Sequence, residues 1–288
     1  MTDAPRRAPK FPLRLDQMAT PRRTPVKPPH PAAPARPPAA PVAAPLLRPQ
    51  QPLQHAAELA ARSRAPTGLG MDSASVRRRM AERLRADGLR HEALLAALAD
   101  VPRHRFVDAA LVTQAYEDTS LPIGHGQTIS KPSVVARMIE LLLDSAAGRR
   151  GARLARVLEV GTGCGYQAAL LARLARQVVS VERVKPLHDR ARDQMLALGI
   201  ANARLVYGDG MLGHPPNAPY DGIIAAAGGE SLPQAWLDQL APGGRIVAPV
   251  HDGGARQVLV VVDRTEDGFE RTVHEAVQFV PLRSGLVR

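Results

Sequence analysis

The pattern of apolar and polar positions divides the second half of the chain into short alternating elements. Short apolar runs, several of them followed by glycine or a charged residue, predict buried strands, and the stretches between them predict helices. Such alternation favours an α/β fold with a mostly parallel, doubly wound sheet and helices on both faces. The predicted strands are 157–160, 178–181, 203–207, 220–226, 245–249, 257–263 and 277–281, and the predicted helices are 167–175, 186–198 and 231–240.

Upstream of this region, helical spacing predicts an N-terminal helical cap. Val76, Met80 and Leu84 recur at intervals of four in a helix that begins at Asp72 or Ser73. Two further helical segments are predicted, at 91–99 and just after residues 103–107, and another helix is predicted at 133–143.

The first 70 residues have a different composition from the rest of the chain. They hold 16 of the 27 prolines and have 11 Lys/Arg against three Asp/Glu, so that +8 of the total net charge of +11 lies there. Such a segment buries too little apolar surface to offset its ordering entropy. We therefore predict two regions, a disordered Pro/Ala/Arg-rich tail at 1–70 and a folded domain at 71–288. The near-neutral domain argues against specific nucleic-acid binding, although the tail could touch anionic partners weakly.

Composition also limits which cellular compartment and which kinds of site we expect for the protein. Cys164 is the single cysteine, which excludes an internal disulfide and a Cys-cluster metal site. No apolar stretch is long enough to span a membrane, and the N-terminus lacks the apolar core of a secretory signal. We expect a cytoplasmic protein without a metal site.

A glycine motif follows the predicted strand at 157–160. Gly161, Gly163 and Gly165 lie between that strand and a helix, which places backbone N–H groups and a positive helix end at one point. Glu182 ends the next strand, where an acidic residue binds a ribose in nucleotide sites. The spacing is G-x-G-x-G rather than G-x-G-x-x-G, and Glu159 would repel a pyrophosphate. S-adenosylmethionine, which has a ribose but no phosphate, therefore fits better than a dinucleotide, and an NAD-dependent oxidoreductase is the disfavoured alternative.

A polar segment rich in glycine and proline, residues 115–132, precedes the helix at 133–143. We predict a long loop, and long ordered loops in compact domains are often functional. Ser130 could present its hydroxyl to a ligand, or it could merely cap the following helix. His125, between two glycines, is on residue type more often a turn or surface residue than a catalyst.

These motifs resemble those of the protein-L-isoaspartate O-methyltransferase family over about residues 72–288. The resemblance implies a Rossmann-like fold whose sheet ends in an antiparallel strand, S-adenosylmethionine as methyl donor, and L-isoaspartyl (and D-aspartyl) residues of damaged proteins as acceptors. It also implies that Ser130 is the active-site serine. The matching segments are 101–107 (VPRHRFV), 116–118 (YED), 122–132 (PIGHGQTISKP), 158–169 (LEVGTGCGYQAA), 208–210, 241–250 and 279–282.

The same resemblance implies the residues that contact the cofactor. The sequence differs from the family pattern at Lys131, Gly228-Gly229 and His251. The resemblance therefore does not establish which residues contact the substrate at the rim of its site. The alternatives are a methyltransferase with another carboxylate or a nucleic-acid acceptor, and a non-enzymatic scaffold that the basic tail tethers to anionic surfaces. We expect a monomer that binds no membrane. The implied cofactor contacts are Gln127, Thr128, Ile129, Ser130, Glu159, Gly161, Gly163, Glu182, Asp209 and Gly210.

Overall fold

The computed structural model describes residues 74–151, 153–254 and 256–288. The predictions of a disordered tail and of a helix cap at Asp72 or Ser73 therefore lie outside the described residues. Within the described ranges, no helix is both long enough and apolar enough to cross a membrane.

A seven-stranded sheet forms the centre of the folded region that the structure describes. Its strands are β3 Leu154–Val160, β4 Ala175–Glu182, β5 Ala203–Tyr207, β6 Tyr220–Ala225, β7 Leu240–His251, β8 Gln257–Arg264 and β9 Phe269–Val277. Their order in the sheet is β5-β4-β3-β6-β7-β8-β9. The first five of these pair in parallel, and β8 and β9 add antiparallel to β7. The prediction of a mostly parallel doubly wound sheet with an antiparallel end is confirmed.

Helices cover both faces of the sheet, which explains why its central strands read as continuous apolar runs. In β3, Val157 to Val160 are all buried, and Glu159 lies between Ser180 of β4 and Ile224 of β6. The buried residues form two apolar clusters. The helices are α1 Ala74–Ala86, α2 Glu92–Asp100, α3 Pro132–Leu143, α4 Ala146–Arg149, α5 Tyr166–Leu174, α6 Lys185–Ala197 and α7 Gln234–Asp238.

The predicted helical cap is present as α1, α2 and two 3-10 turns. These turns are Arg103–Phe106 and Ala109–Gln114. Leu94 and Leu98 of α2 are fully buried, and α2 contacts α5 and α3. The cap is thus part of the main core.

Three predictions of local structure were wrong. The segment 115–132 contains an antiparallel hairpin, β1 Leu121–Gly124 and β2 Gln127–Ile129, rather than loop alone. The last strand is Phe269–Val277, not 277–281, because this edge strand is solvent-exposed along its length and lacks an apolar pattern. The helix predicted at 231–240 is only the short α7, preceded by irregular backbone.

Candidate active site

A cavity of about 510 Å³ opens at the carboxyl ends of β3 and β4. This is the edge at which ligands bind in open α/β sheets, and the volume falls within the range of small-molecule sites. Residues from well-separated parts of the described chain line it: 125–130 of the hairpin region, Val135 of α3, 160–164 and 166–167 around the end of β3, 181–184 around the end of β4, Gly210, 226–227, and 280–283 with Val287.

The glycine loop after β3 has the backbone conformation that only glycine adopts freely. The φ angles of Gly161, Gly163 and Gly165 are 90°, 55° and 91°. Gly161 N–H donates to Val181 O of β4 at 2.9 Å, which fixes the start of the loop. Gly163 faces the hairpin, since a Cβ there would lie 3.3 Å from Ile123 Cδ1. The loop therefore presents bare backbone to the cavity.

The buried carboxylate of Glu182 lies in the cavity wall and braces the glycine loop. Its Oε2 accepts a hydrogen bond from Gly163 N–H at 2.8 Å, and its Oε1 accepts one from Val184 N–H at 2.9 Å. Each carboxylate oxygen can accept a second hydrogen bond. The structure thus places Glu182, at the end of β4, where it can receive hydroxyl donors from a ligand while it holds the loop.

Glu159 lies beneath the cavity and does not line it. Its side chain is fully buried in β3, and Ser180 Oγ donates to its Oε2. Ser180 Oγ also lies 2.5 Å from Thr162 Oγ1 of the glycine loop. Burial raises the pKa of Glu159 to about 8, and repulsion from Glu182 adds to the effect. A carboxyl group that is largely neutral at pH 7 repels a pyrophosphate little, so the sequence-based argument from an ionised Glu159 loses its force.

Glu159 also carries an unpaired polar atom. Its Oε1 is buried and makes no hydrogen bond of ordinary geometry within the described residues, although the Gln167 side chain interacts with the carboxyl group and acts to lower its pKa. A buried polar atom without a well-aligned partner is costly. Such an atom, one layer below the glycine loop, is compatible with a ligand or an ordered water that completes its bonding.

Asp209 and Gly210 are neighbours in sequence but have different roles at the cavity. Gly210 lines the cavity, and a Cβ there would overlap Val160 Cγ1. Asp209 does not line it, because its Oδ1 accepts from Met211 N–H at 2.9 Å and its Oδ2 from Gly285 N–H at 2.6 Å. Asp209 therefore anchors the segment 280–287 beside the cavity.

Segment 280–287 was not predicted from sequence to line the site. Val280 O and Leu282 N–H bond to Gly228, and Val287 N–H donates to Arg183 O at 2.8 Å. These bonds hold the segment over the ends of β4 and β6. The apolar residues Phe279 and Val280 were assigned to the predicted strand at 277–281, whereas in the structure they are half-buried in irregular backbone.

Ser130 lies at the cavity, just after the hairpin, together with Gln127, Thr128 and Ile129. The alternative that Ser130 merely caps the next helix is not what the structure shows. Instead Asp118 accepts hydrogen bonds from Ser133 N–H at 2.8 Å and Ser133 Oγ at 2.7 Å at the start of α3. The Ser130 side chain is left half-exposed on the cavity wall. His125 forms the hairpin turn, with a φ of 54°, and reaches the rim of the cavity.

The cavity fits a nucleoside cofactor that carries no phosphate. Bare glycine backbone, the paired carboxylate of Glu182 and apolar walls such as Val160 and Val287 suit a ribose and an uncharged ring system. Within the described ranges, no group of three or more His, Cys, Asp or Glu side chains could hold a metal ion.

Comparisons with known proteins agree with this geometry. The model of the protein-L-isoaspartate(D-aspartate) O-methyltransferase family matches residues 75–286. A protein-L-isoaspartate O-methyltransferase from Methylibium petroleiphilum is 60% identical over 287 residues, which cover 99% of each chain.

Solved structures show the same fold. One protein-L-isoaspartate O-methyltransferase is 28% identical with a TM-score of 0.64, covering 73% of this chain and 67% of that one. A beta-aspartate methyltransferase from Plasmodium falciparum, in complex with S-adenosyl-L-homocysteine, is 22% identical with a TM-score of 0.61, covering 72% of this chain and 98% of that one. At that identity, the second structure supports the fold alone.

Proposed function

The chain belongs to the protein-L-isoaspartate(D-aspartate) O-methyltransferase family, and we propose that the cavity described above is its active site, with Ser130 on the acceptor side. As a member of this family, the protein transfers a methyl group from S-adenosyl-L-methionine to the free carboxylate of L-isoaspartyl residues. The observation that carries the site proposal is that the glycine loop, Glu182 and Ser130 line one cavity.

The reaction begins a repair of damaged proteins. Methylation converts the carboxylate into an ester with a better leaving group. The neighbouring backbone amide displaces that group to close a succinimide ring. Hydrolysis of the ring returns part of the material to normal aspartate.

S-adenosyl-L-methionine supplies an electrophilic methyl group on a sulfonium. We assign Gly161, Gly163 and Gly210 to close backbone contact with it, and Glu182 to its ribose hydroxyls. Gln127 to Ser130 form the opposite wall, and we keep for them the cofactor contacts that the resemblance implies, with the Ser130 hydroxyl turned to the acceptor. Glu159 and Asp209 act one layer away, because Glu159 supports the glycine loop through Ser180 and Asp209 anchors segment 280–287.

The methyl transfer depends little on acid–base catalysis. A carboxylate acceptor is already deprotonated at pH 7, so no general base is needed. Catalysis then rests on alignment, for which effective molarities reach about 10⁵ M or more, and on exclusion of water. We assign Ser130 Oγ–H to donate a hydrogen bond that orients the acceptor carboxylate. Glu182 and the glycine loop hold the donor side in place.

A matched pair of peptides tests the function. The protein is incubated with methyl-labelled S-adenosyl-L-methionine and two peptides that differ only in an isoaspartyl or an aspartyl linkage. Base-labile label on the isoaspartyl peptide alone is the expected result. Label on neither peptide, with cofactor binding intact, would move the acceptor to another class of molecule.

The organisation of the whole chain is also a proposal. The family match over residues 75–286 supports a methyltransferase domain at 71–288. We further propose that the protein acts as a monomer in the cytoplasm, which sedimentation and cell fractionation test. Deleting residues 1–70 should leave methyl transfer intact; loss of transfer on this deletion would make the tail part of the enzyme.

A further inference from the structure

Arg103 has a buried guanidinium that the proposed function does not use. Its side chain is 0% exposed at the start of the 3-10 turn Arg103–Phe106, inside the helical cap. Burial lowers its pKa, because desolvation disfavours the charged form. Among the described residues no carboxylate lies within ion-pair distance of it, although Tyr166 and the more distant Asp118 act to raise its pKa, and its Nη1 makes no hydrogen bond of ordinary geometry. A buried cation is expensive without such a partner.

The contacts of Arg103 instead join three segments of backbone and ring. Its Nε donates to Ala115 O at 2.8 Å, and its Nη2 donates to Ser130 O at 2.6 Å. Its guanidinium carbon lies 4.8 Å from the centroid of the Tyr166 ring, in cation–π contact. Phe106, from the same turn, packs edge-on against that ring at 5.5 Å.

The two ends of this chain of contacts belong to opposite walls of the cavity. Ser130 lies on the acceptor side. Tyr166 lines the cavity as the first residue of α5, directly after Gly165 of the glycine loop. The hairpin that carries the acceptor side pairs only with itself and not with the main sheet. A side chain that touches both walls is therefore placed to fix their separation.

We propose that Arg103 is a positioning residue that sets Ser130 against the glycine loop, so that the donor and acceptor meet in line. The inference rests on the proposed function of the cavity. A planar fork that bonds two carbonyls and stacks on a ring is particular to arginine, because lysine has a single point charge. The helical cap thus takes part in catalysis without touching either substrate.

The test compares Arg103→Met and Arg103→Lys with Arg105→Met, an exposed arginine of the same turn. Initial rates are measured with an isoaspartyl peptide at saturating S-adenosyl-L-methionine, and thermal unfolding is followed in parallel. We expect kcat to fall by about 10- to 100-fold in Arg103→Met, as for small misplacements of reacting groups. The peptide KM and the Kd of S-adenosyl-L-homocysteine should change less than about threefold. Arg103→Lys should recover a minor part of kcat, and Arg105→Met should match the wild type.

A second variant keeps the test decisive if Arg103→Met does not fold. Tyr166→Leu removes the ring at the other end of the link. The double variant Arg103→Lys/Tyr166→Leu should be no slower than the slower single variant, because each change breaks the same link. The inference would be overturned if the fold-decrease in kcat of the double variant equalled the product of the decreases in the two single variants. An unchanged kcat in folded Arg103→Lys would also overturn it. Wild-type turnover, measured alongside, tests the proposed function separately: an inactive wild type removes that function, whatever the variants do.

Discussion

The two walls of the cavity are built in different ways. The glycine loop extends from β3 and is held by backbone bonds to β4 and by Glu182, all within the parallel sheet. The acceptor wall is a two-stranded hairpin outside that sheet. Side chains outside the hairpin hold the residues that follow it: Arg103 of the cap bonds Ser130 O, and Asp118, which precedes β1, bonds Ser133 at the start of α3.

This difference separates binding from alignment. The wall fixed by the sheet is suited to bind the cofactor, since its geometry is set by the fold as a whole. The wall fixed by side chains is suited to orient the acceptor. Substitutions on the glycine-loop side should therefore change affinity for the cofactor, and those on the hairpin side should change turnover.

The largest effect is expected from Ser130→Ala. Loss of one aligned hydrogen-bond donor should lower kcat/KM for an isoaspartyl peptide by about 100-fold, by analogy with other preorganised donors. The measurement is transfer of labelled methyl at saturating donor. Ser120→Ala, an exposed serine just before the hairpin, is the matched control and should retain wild-type rates. Full activity in Ser130→Ala would remove Ser130 from the mechanism.

Glu182→Ala should act on the other wall. Loss of charged hydrogen bonds should weaken cofactor binding by about 1.5–3 kcal/mol, observed as a higher Kd in calorimetry. At saturating donor, kcat should recover most of its wild-type value. Glu266→Ala, an exposed acid far along the sequence, serves as the control. An unaltered Kd would show that Glu182 does not bind the cofactor.

Glu159→Gln should change how stability depends on pH. The pKa of Glu159 is about 8 in the folded protein against an ordinary value of 4.5, so the folded state keeps a proton that the unfolded state releases. Between these values the wild type loses stability as pH rises, and above pH 8 this loss is complete. At about 1.4 kcal/mol per pKa unit, the change between pH 6 and 8 is on the order of 2 kcal/mol.

The measurement for Glu159→Gln is the free energy of unfolding at pH 5, 6, 7 and 8. The glutamine cannot ionise, so the variant should gain stability relative to the wild type as pH rises. A difference between the two proteins that stays constant with pH would mean that Glu159 ionises normally.

The smallest effect is expected from Asp118→Ala. Both of its carboxylate oxygens bond Ser133 at the start of α3, so its loss should cost about 1 kcal/mol of stability, as for other helix caps. Because α3 follows Ser130 directly, kcat should also fall, by about two- to fivefold. Thermal unfolding and peptide kinetics measure the two effects. Asp87→Ala, at an exposed helix end, is the control. Unchanged stability would mean that the cap contributes nothing in solution.

The same contrast explains what could be predicted from the sequence. Strands such as β3 and β4 are buried on both faces, so their apolar runs and the glycines after them were readable locally. Their parallel arrangement and the location of the cavity at their carboxyl ends followed from general rules for parallel sheets, whereas the order of the strands was not predicted. The edge strand β9 is solvent-exposed, which left no apolar pattern to find.

Long-range contacts set the limit of the sequence-based predictions. Arg103 and Ser130 are 27 positions apart, and Asp209 and Gly285 are 76 apart. No local pattern pairs such residues, so neither the role of Arg103 nor the anchoring of segment 280–287 was predicted. Glu159 was placed among the cofactor contacts by resemblance, whereas its side chain lies below the cavity.

The central claim is that the two walls divide binding from alignment, and one paired measurement tests it most directly. The Kd of S-adenosyl-L-homocysteine and the kcat for an isoaspartyl peptide are determined for the wild type, Ser130→Ala and Glu182→Ala. We predict a wild-type Kd with a low kcat for Ser130→Ala, and a raised Kd with a largely retained kcat for Glu182→Ala. If Ser130→Ala weakens cofactor binding as much as Glu182→Ala and loses no further turnover at saturation, the division of the cavity is contradicted.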